Sequence, residues 1–123
     1  MTYLSKNFQR HELECPCCQE IIVNQDFIEA LQDLRNMVGR PFTINSGFRC
    51  ERHNKKVGGA ENSRHLKGMA VDISIKDWSS SDIHKLLSYA TIVRPKLGES
   101  GVGIYKSWVH FDLRDSNAAW VSL

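Results

Sequence analysis

An α+β domain with a mostly antiparallel sheet is what this 123-residue sequence predicts. Two stretches carry apolar residues at helical spacing, several short runs alternate or cluster as strands do, and a two-residue turn joins the last two runs. The length suits one hydrophobic core and not two, so residues 1–123 are read as a single domain. Its 41% hydrophobic and 24% charged residues are ordinary for a globular chain, which excludes a disordered or fibrous class.

The elements follow in order. Asp26 opens the first main helix, with Glu29 as a capping-box-like partner and Phe27, Leu31, Leu34 and Val38 on one apolar face. Gly39 stops it, because glycine accepts the left-handed conformation that ends helices. Pro41 to Asn45 reads as a strand entering the corner Ser46-Gly47-Phe48-Arg49. Residues 48–69 read as a long loop with one helical turn around His53 and Asn54. A loop of that length in a small domain is either functional or disordered, and its histidines and glycines favour function. Val71 to Ile75 reads as a strand, with Ala70, Asp72 and Ser74 on one face and Val71, Ile73 and Ile75 on the other. Ser79 to Asp82 offer caps for the second main helix, whose stripe is Ile83, Leu86, Leu87, Ala90 and Val93, and Pro95 ends it. Gly101 to Tyr105 and Trp108 to Leu113 form an antiparallel hairpin around Lys106-Ser107. The residues after Arg114 read as a loosely packed tail.

Three metal-capable side chains stand out on this frame: His65, Asp72 and His110. Two neutral imidazoles and one carboxylate fill three positions of a tetrahedral Zn²⁺ and leave the fourth for water, as catalytic zinc sites do. A lone histidine is more often a packing or surface group than a ligand, so the joint pattern carries the argument. Gly58-Gly59-Ala60 makes a tight loop before His65, Gly68 lets backbone approach closely, and Asp72 has small neighbours that leave room for an ion.

Ser63 to Asp72 has the form Ser-x-His-x-x-Gly-x-Ala-x-Asp. Upstream stand Ser46-Gly47-Phe48-Arg49, His53-Asn54 and Val57-Gly58-Gly59-Ala60; downstream stand Gly101-x-Gly103-x-Tyr105 and Val109-His110-Phe111-Asp112. This series resembles the zinc D-alanyl-D-alanine carboxypeptidase family of murein peptidases, and its small bacterial and phage members best, over about residues 5 to 115. The resemblance implies a hedgehog/D-Ala-D-Ala-peptidase-like fold. It also implies His65, Asp72 and His110 as zinc ligands and Arg49 near the carboxylate of the substrate. The chain departs from better-known members, some of which carry a histidine two residues before the last zinc histidine and others a glutamate three before it. Here Trp108 and Ser107 stand at those positions.

At such a site zinc lowers the pKa of a water toward about 7 and polarises a peptide carbonyl. A further group must take the proton of that water. Asp112 is the candidate base, since residues two apart on a strand share a face with His110 between them. The alternative is that Asp112 orients a ligand imidazole or pairs with Arg114. Glu99 and Glu61 are outside candidates. Arg49 is read as a bidentate clamp on a substrate carboxylate, with a surface ion pair as the alternative. Ser63 either hydrogen-bonds ligand or substrate or shapes the loop. His53 is read as a loop residue, His84 as solvated, and Trp78 and Trp120 as packing residues.

The function implied is that of a zinc metallopeptidase cutting peptide bonds in peptidoglycan, as a D,D-carboxypeptidase or an endopeptidase. The alternative is a non-catalytic zinc module that binds wall material or a protein partner. Cys15, Cys17, Cys18 and Cys50 stay open among reduced, partly buried thiols, a disulfide from Cys50 to the cluster, and a second, structural zinc. Cys15 and Cys18 have Cys-x-x-Cys spacing, but the second paired knuckle of a strong zinc motif is absent. A net charge of +2 with mixed signs along the chain argues against nucleic acid as a partner. Neither a signal-like start nor eighteen successive apolar residues occur. The expectation is a monomer without membrane insertion, cytoplasmic at synthesis; a phage lysin released to the wall, a virion-borne wall hydrolase and a cytoplasmic enzyme acting on wall fragments would each fit.

Overall fold

The structure, a computed structural model, describes residues 2–93 and 99–123. A short helix α1 (Arg10–Leu13) precedes the first main helix, α2 (Gln25–Val38). Asn24, and not Asp26, caps α2: its side-chain oxygen accepts the Phe27 N–H at 2.9 Å, which leaves Asp26 in the first turn to complement the helix dipole. Gly39 ends α2 in the left-handed conformation, as expected. The strand expected from Pro41 is shorter, β1 (Ile44–Ser46). The long loop contains more order than one turn, namely α3 (Glu51–Lys56) and a 3₁₀ turn at Arg64–Lys67. Then come β2 (Ala70–Ser74), the second main helix α4 (Ser80–Ile92) capped by Ser79, and the hairpin strands β3 (Glu99–Tyr105) and β4 (Trp108–Arg114). Pro95, expected to end α4, lies outside the described residues. No described helix is long and apolar enough to cross a membrane.

One expectation is corrected outright. The segment after Arg114 is not a loose tail but a strand, β5 (Ala118–Ser122), running parallel to β3 on its free edge. Asn117 fixes the return by accepting the Ser100 N–H at 3.2 Å, and the Trp120 indole N–H donates to the Tyr105 hydroxyl at 3.0 Å. The sheet order is β1-β2-β4-β3-β5, antiparallel except for the β3–β5 pair.

Alternation along the strands divides the sheet into two chemically different faces. Val71, Ile73, Val109, Phe111 and Leu113 point into the core, which they share with Phe27, Leu31 and Leu34 of α2 and Leu86 and Ala90 of α4. Phe27 stacks on Phe111 with ring centroids 5.7 Å apart. The alternate residues, Asp72, His110 and Asp112, belong to the opposite face. Asp72 pairs across the ladder with His110, and Ala70 with Asp112. A one-residue slip would drive the polar set into the core and expose the apolar one, so the core fixes which strand positions meet at the site.

Phe111 sits in sequence between His110 and Asp112 but faces the other way, fully buried. Phe111→Ala is expected to lower the unfolding free energy of the metal-free protein by about 3–5 kcal/mol in urea titrations followed by circular dichroism. An unchanged midpoint would contradict the packing described.

Candidate metal centre

His65 enters the site from the 3₁₀ turn, where the Ser63 hydroxyl accepts the His65 backbone N–H at 3.2 Å. Its Nδ1 lies 2.7 Å from the Gly47 carbonyl oxygen. A carbonyl can only accept, so Nδ1 carries the proton and Nε2 presents a lone pair. His110 is oriented in the same way by a different acceptor. Its Nε2 lies 2.7 Å from Asp112 Oδ2, and the ionised carboxylate takes that N–H and leaves Nδ1 with the lone pair. Both lone pairs face one oxygen of Asp72: His65 Nε2 is 3.4 Å and His110 Nδ1 3.1 Å from Asp72 Oδ1.

Three electron-pair donors thus converge, with the ring protons committed to acceptors behind them. Such a set repels itself unless something positive sits at its centre. Zinc–nitrogen and zinc–oxygen bonds of about 2.0–2.2 Å place neighbouring donors of a tetrahedron about 3.4 Å apart, which the two short separations match. All three ligand atoms lie within 4.8 Å of one another. Imidazoles that pass their second N–H to a carbonyl or carboxylate are the usual form of metal-binding histidine. The donor set and its support therefore fit a zinc ion, and the structure brings together the three residues singled out from the sequence.

Electrostatics around the donors follow from burial and pairing. Burial pushes the Asp72 carboxyl up, yet in the metal-free chain the adjacent His110 and His65 rings, which donate to it when the facing nitrogen carries a proton, outweigh burial and hold the group below the usual carboxylate range. For His110 burial opposes the charged form, but the Asp112 and Asp72 carboxylates outweigh it and raise its pKa above 6.5. Asp112 is wholly inaccessible and fully engaged: Arg114 Nε donates to Oδ1 at 2.8 Å, and Oδ2 accepts from both Arg114 Nη2 and His110. Burial raises its carboxyl while Arg114 and His110 lower it, and the lowering wins. The side chain proposed as base thus reaches the far nitrogen of His110, as in the alternative reading of that residue.

Arg49 supports the centre from the other side. Its Nη2 donates to Asp72 Oδ2 at 3.2 Å, Nε to the Ser46 hydroxyl at 3.0 Å and Nη1 to Asn54 Oδ1 at 3.2 Å. Of five guanidinium N–H donors, one each on Nη1 and Nη2 is left over. Asn54, buried, also donates to the Ala60 carbonyl at 2.9 Å and so ties Arg49 to the Gly58-Gly59-Ala60 loop. A Cβ at Gly59 would collide with the Asn54 amide, which explains glycine there.

A cleft of about 540 Å³ opens over these residues, with Arg49, His65, Asp72, His110 and Asp112 among its lining. Tyr105, Trp108 and Trp120 build one wall, Tyr105 stacking on Trp108 at 4.7 Å and Trp120 lying 5.4 Å from the His110 ring. Gly101 and Gly103 make that wall possible. A Cβ at Gly103 would run into the Trp120 indole, and one at Gly101 into the Arg114–Asp112 pair.

Ser63 lines the cleft besides capping the 3₁₀ turn. Glu61 is exposed, and neither it nor Glu99 lines the cleft; Glu99 pairs in register with Arg114 on β4. His53, read as a loop residue, instead lies within α3, its carbonyl accepting the Val57 N–H at 3.0 Å, and His84 is exposed on α4. Trp78 packs on Phe42 at 5.9 Å, as expected of a packing residue. Asn54, Tyr105 and Trp120 were not legible as site residues. The glycines at 101 and 103 were the available signal, since two bare positions on one strand face announce large side chains lying across them.

The Peptidase M15 family profile matches residues 6–112. A segment of 44 residues is 50% identical to the zinc D-Ala-D-Ala carboxypeptidase of Streptomyces albus G. That segment is 35% of this chain and spans only 17% of the length of the relative. With a family match over nearly the whole length and the His65, Asp72 and His110 geometry at its centre, the chain belongs to the peptidase M15 family.

Proposed function

We propose that the chain is a zinc metallopeptidase that hydrolyses peptide bonds in stem peptides or cross-links of bacterial peptidoglycan, as a D,D-carboxypeptidase or an endopeptidase. The observation that carries this reading is the convergence of His65 Nε2, Asp72 Oδ1 and His110 Nδ1, each lone pair fixed by a partner behind it. Family membership and the name of the Streptomyces relative support the metal and the substrate class. When bound, zinc lowers the pKa of a water toward about 7 and polarises the scissile carbonyl.

The residues of the chain do the rest. His65, Asp72 and His110 would hold the ion, three protein ligands being the usual complement of a catalytic zinc. Arg49 donates to Asp72 Oδ2 and so aims its carboxylate, and its two remaining N–H groups offer a fork to a substrate carboxylate at the cleft. Asp112, itself clamped by Arg114, holds the His110 tautomer that presents Nδ1. A binding module without turnover is the second reading, favoured by one observation: among the described lining residues the carboxylates are Asp72 and Asp112, both engaged. Zinc-loaded protein incubated with purified peptidoglycan, with fragments read by mass spectrometry, is expected to release D-alanine or separate cross-linked stems. An unchanged fragment profile with the protein bound to the wall would replace the peptidase reading by the binding one.

Asp112→Asn separates the two roles of that carboxylate. As the residue that positions His110, its loss should weaken zinc binding about 10–100-fold. Unchanged zinc affinity with turnover reduced by about two to four orders of magnitude would instead make it the base.

Acid should compete with the metal at His110. The raised pKa means that protonated His110 stabilises the metal-free fold fully below about 6.5, and that this contribution is lost as pH rises through the folded value. Zinc needs Nδ1 free, so its affinity should fall as pH drops through that raised value, with proton uptake by the buffer on binding. Calorimetry in buffers of different ionisation enthalpy reads that proton; a zinc affinity independent of pH between about 5 and 8 would contradict it.

A further inference from the structure

We propose that Cys15, Cys17, Cys18 and Cys50 hold a second zinc ion in a closed tetrathiolate site that fastens the N-terminal segment to the corner carrying Arg49. The four sulfurs all lie within 4.8 Å of one another. Cys15 and Cys17 are 3.5 Å apart, Cys15 and Cys50 3.7 Å, and Cys17 and Cys50 3.3 Å. Zinc–sulfur bonds of about 2.3 Å put the thiolates of a tetrahedron about 3.8 Å apart, close to all three separations. Disulfides join sulfurs two by two at about 2.05 Å, whereas here three sulfurs contact one another and none is bonded.

The His53 backbone N–H donates to the Cys50 sulfur at 3.4 Å. Hydrogen bonds donated to sulfur favour the ionised form. The ion takes four thiolates, the protons of those still in thiol form passing to solvent, and the ion with its ligands carries a charge of −2, which Arg52, 3.9 Å from the Cys17 sulfur, partly offsets. The turn that presents the first three cysteines is closed by Cys15 N–H to the Glu20 carbonyl and Gln19 N–H to the Cys15 carbonyl, both 2.8 Å. Leu13 in turn accepts the Phe48 N–H at 2.8 Å. None of the four cysteines lines the cleft, and four protein ligands leave no position for water, so the site is structural.

Elemental analysis of protein purified under reducing conditions tests this separately from the peptidase reading. The unmodified chain should carry two zinc ions and the His65→Ala, His110→Ala double variant one. In both, the four thiols should resist a thiol reagent until a chelator strips the metal. Cobalt added to the stripped, unmodified chain should give an intense thiolate-to-metal charge-transfer band. One zinc or none in the unmodified chain with freely reacting thiols, no such band, or a mass lowered by two hydrogens per disulfide would each overturn the tetrathiolate site. Loss of the histidine-bound zinc alone would leave it standing.

Discussion

The arrangement on which the site depends is a single carboxylate oxygen, Asp72 Oδ1, facing two imidazole nitrogens that, in the neutral rings, have no proton to give it. Each imidazole has spent its N–H on an acceptor the fold supplies, the Gly47 carbonyl for His65 and the Asp112 carboxylate for His110. The metal-free arrangement pays for this in mutual repulsion, relieved in part by protonation of His110 and fully by a divalent cation. Much of the surrounding polar structure keeps those acceptors in place.

Two layers do so. Behind His110, Arg114 pins Asp112, and the glycines of β3 give the pair and the Trp120 indole room to lie flat across the sheet. Behind Asp72, Arg49 is held by Ser46 and Asn54, and its backbone N–H donates to the His65 carbonyl at 3.1 Å. Arg49 thereby touches two of the three donor residues. Cys50 follows it directly in the chain, so the proposed tetrathiolate site anchors the segment from which Arg49 projects. The two metal centres would then share a support without sharing a ligand.

How legible this was depended on whether a residue's role is local or distant. The two main helices, the hairpin and the alternation of β2 follow from spacing and turn chemistry, which act over a few residues. His65, Asp72 and His110 were legible because their residue types and spacing constrain one another. Strand β5 was not, since Ala118 and Ala119 give a weak pattern and its pairing depends on Asn117 reaching Ser100, a contact across 17 positions. The environment of Asp112 was half legible. Strand alternation puts it beside His110, but only the tertiary structure shows that Arg114 and His110 occupy both of its oxygens. Asn54 likewise looks like any polar loop residue until its amide is seen bridging Arg49 and Ala60.

The central claim is that the fold aims three particular atoms at one cation. Crystals of the zinc-loaded protein measured on either side of the zinc absorption edge test it most directly. The account predicts an anomalous peak within about 2.0–2.2 Å of His65 Nε2, Asp72 Oδ1 and His110 Nδ1. An ion bound through His110 Nε2, or no peak among these residues at full zinc loading, would contradict it.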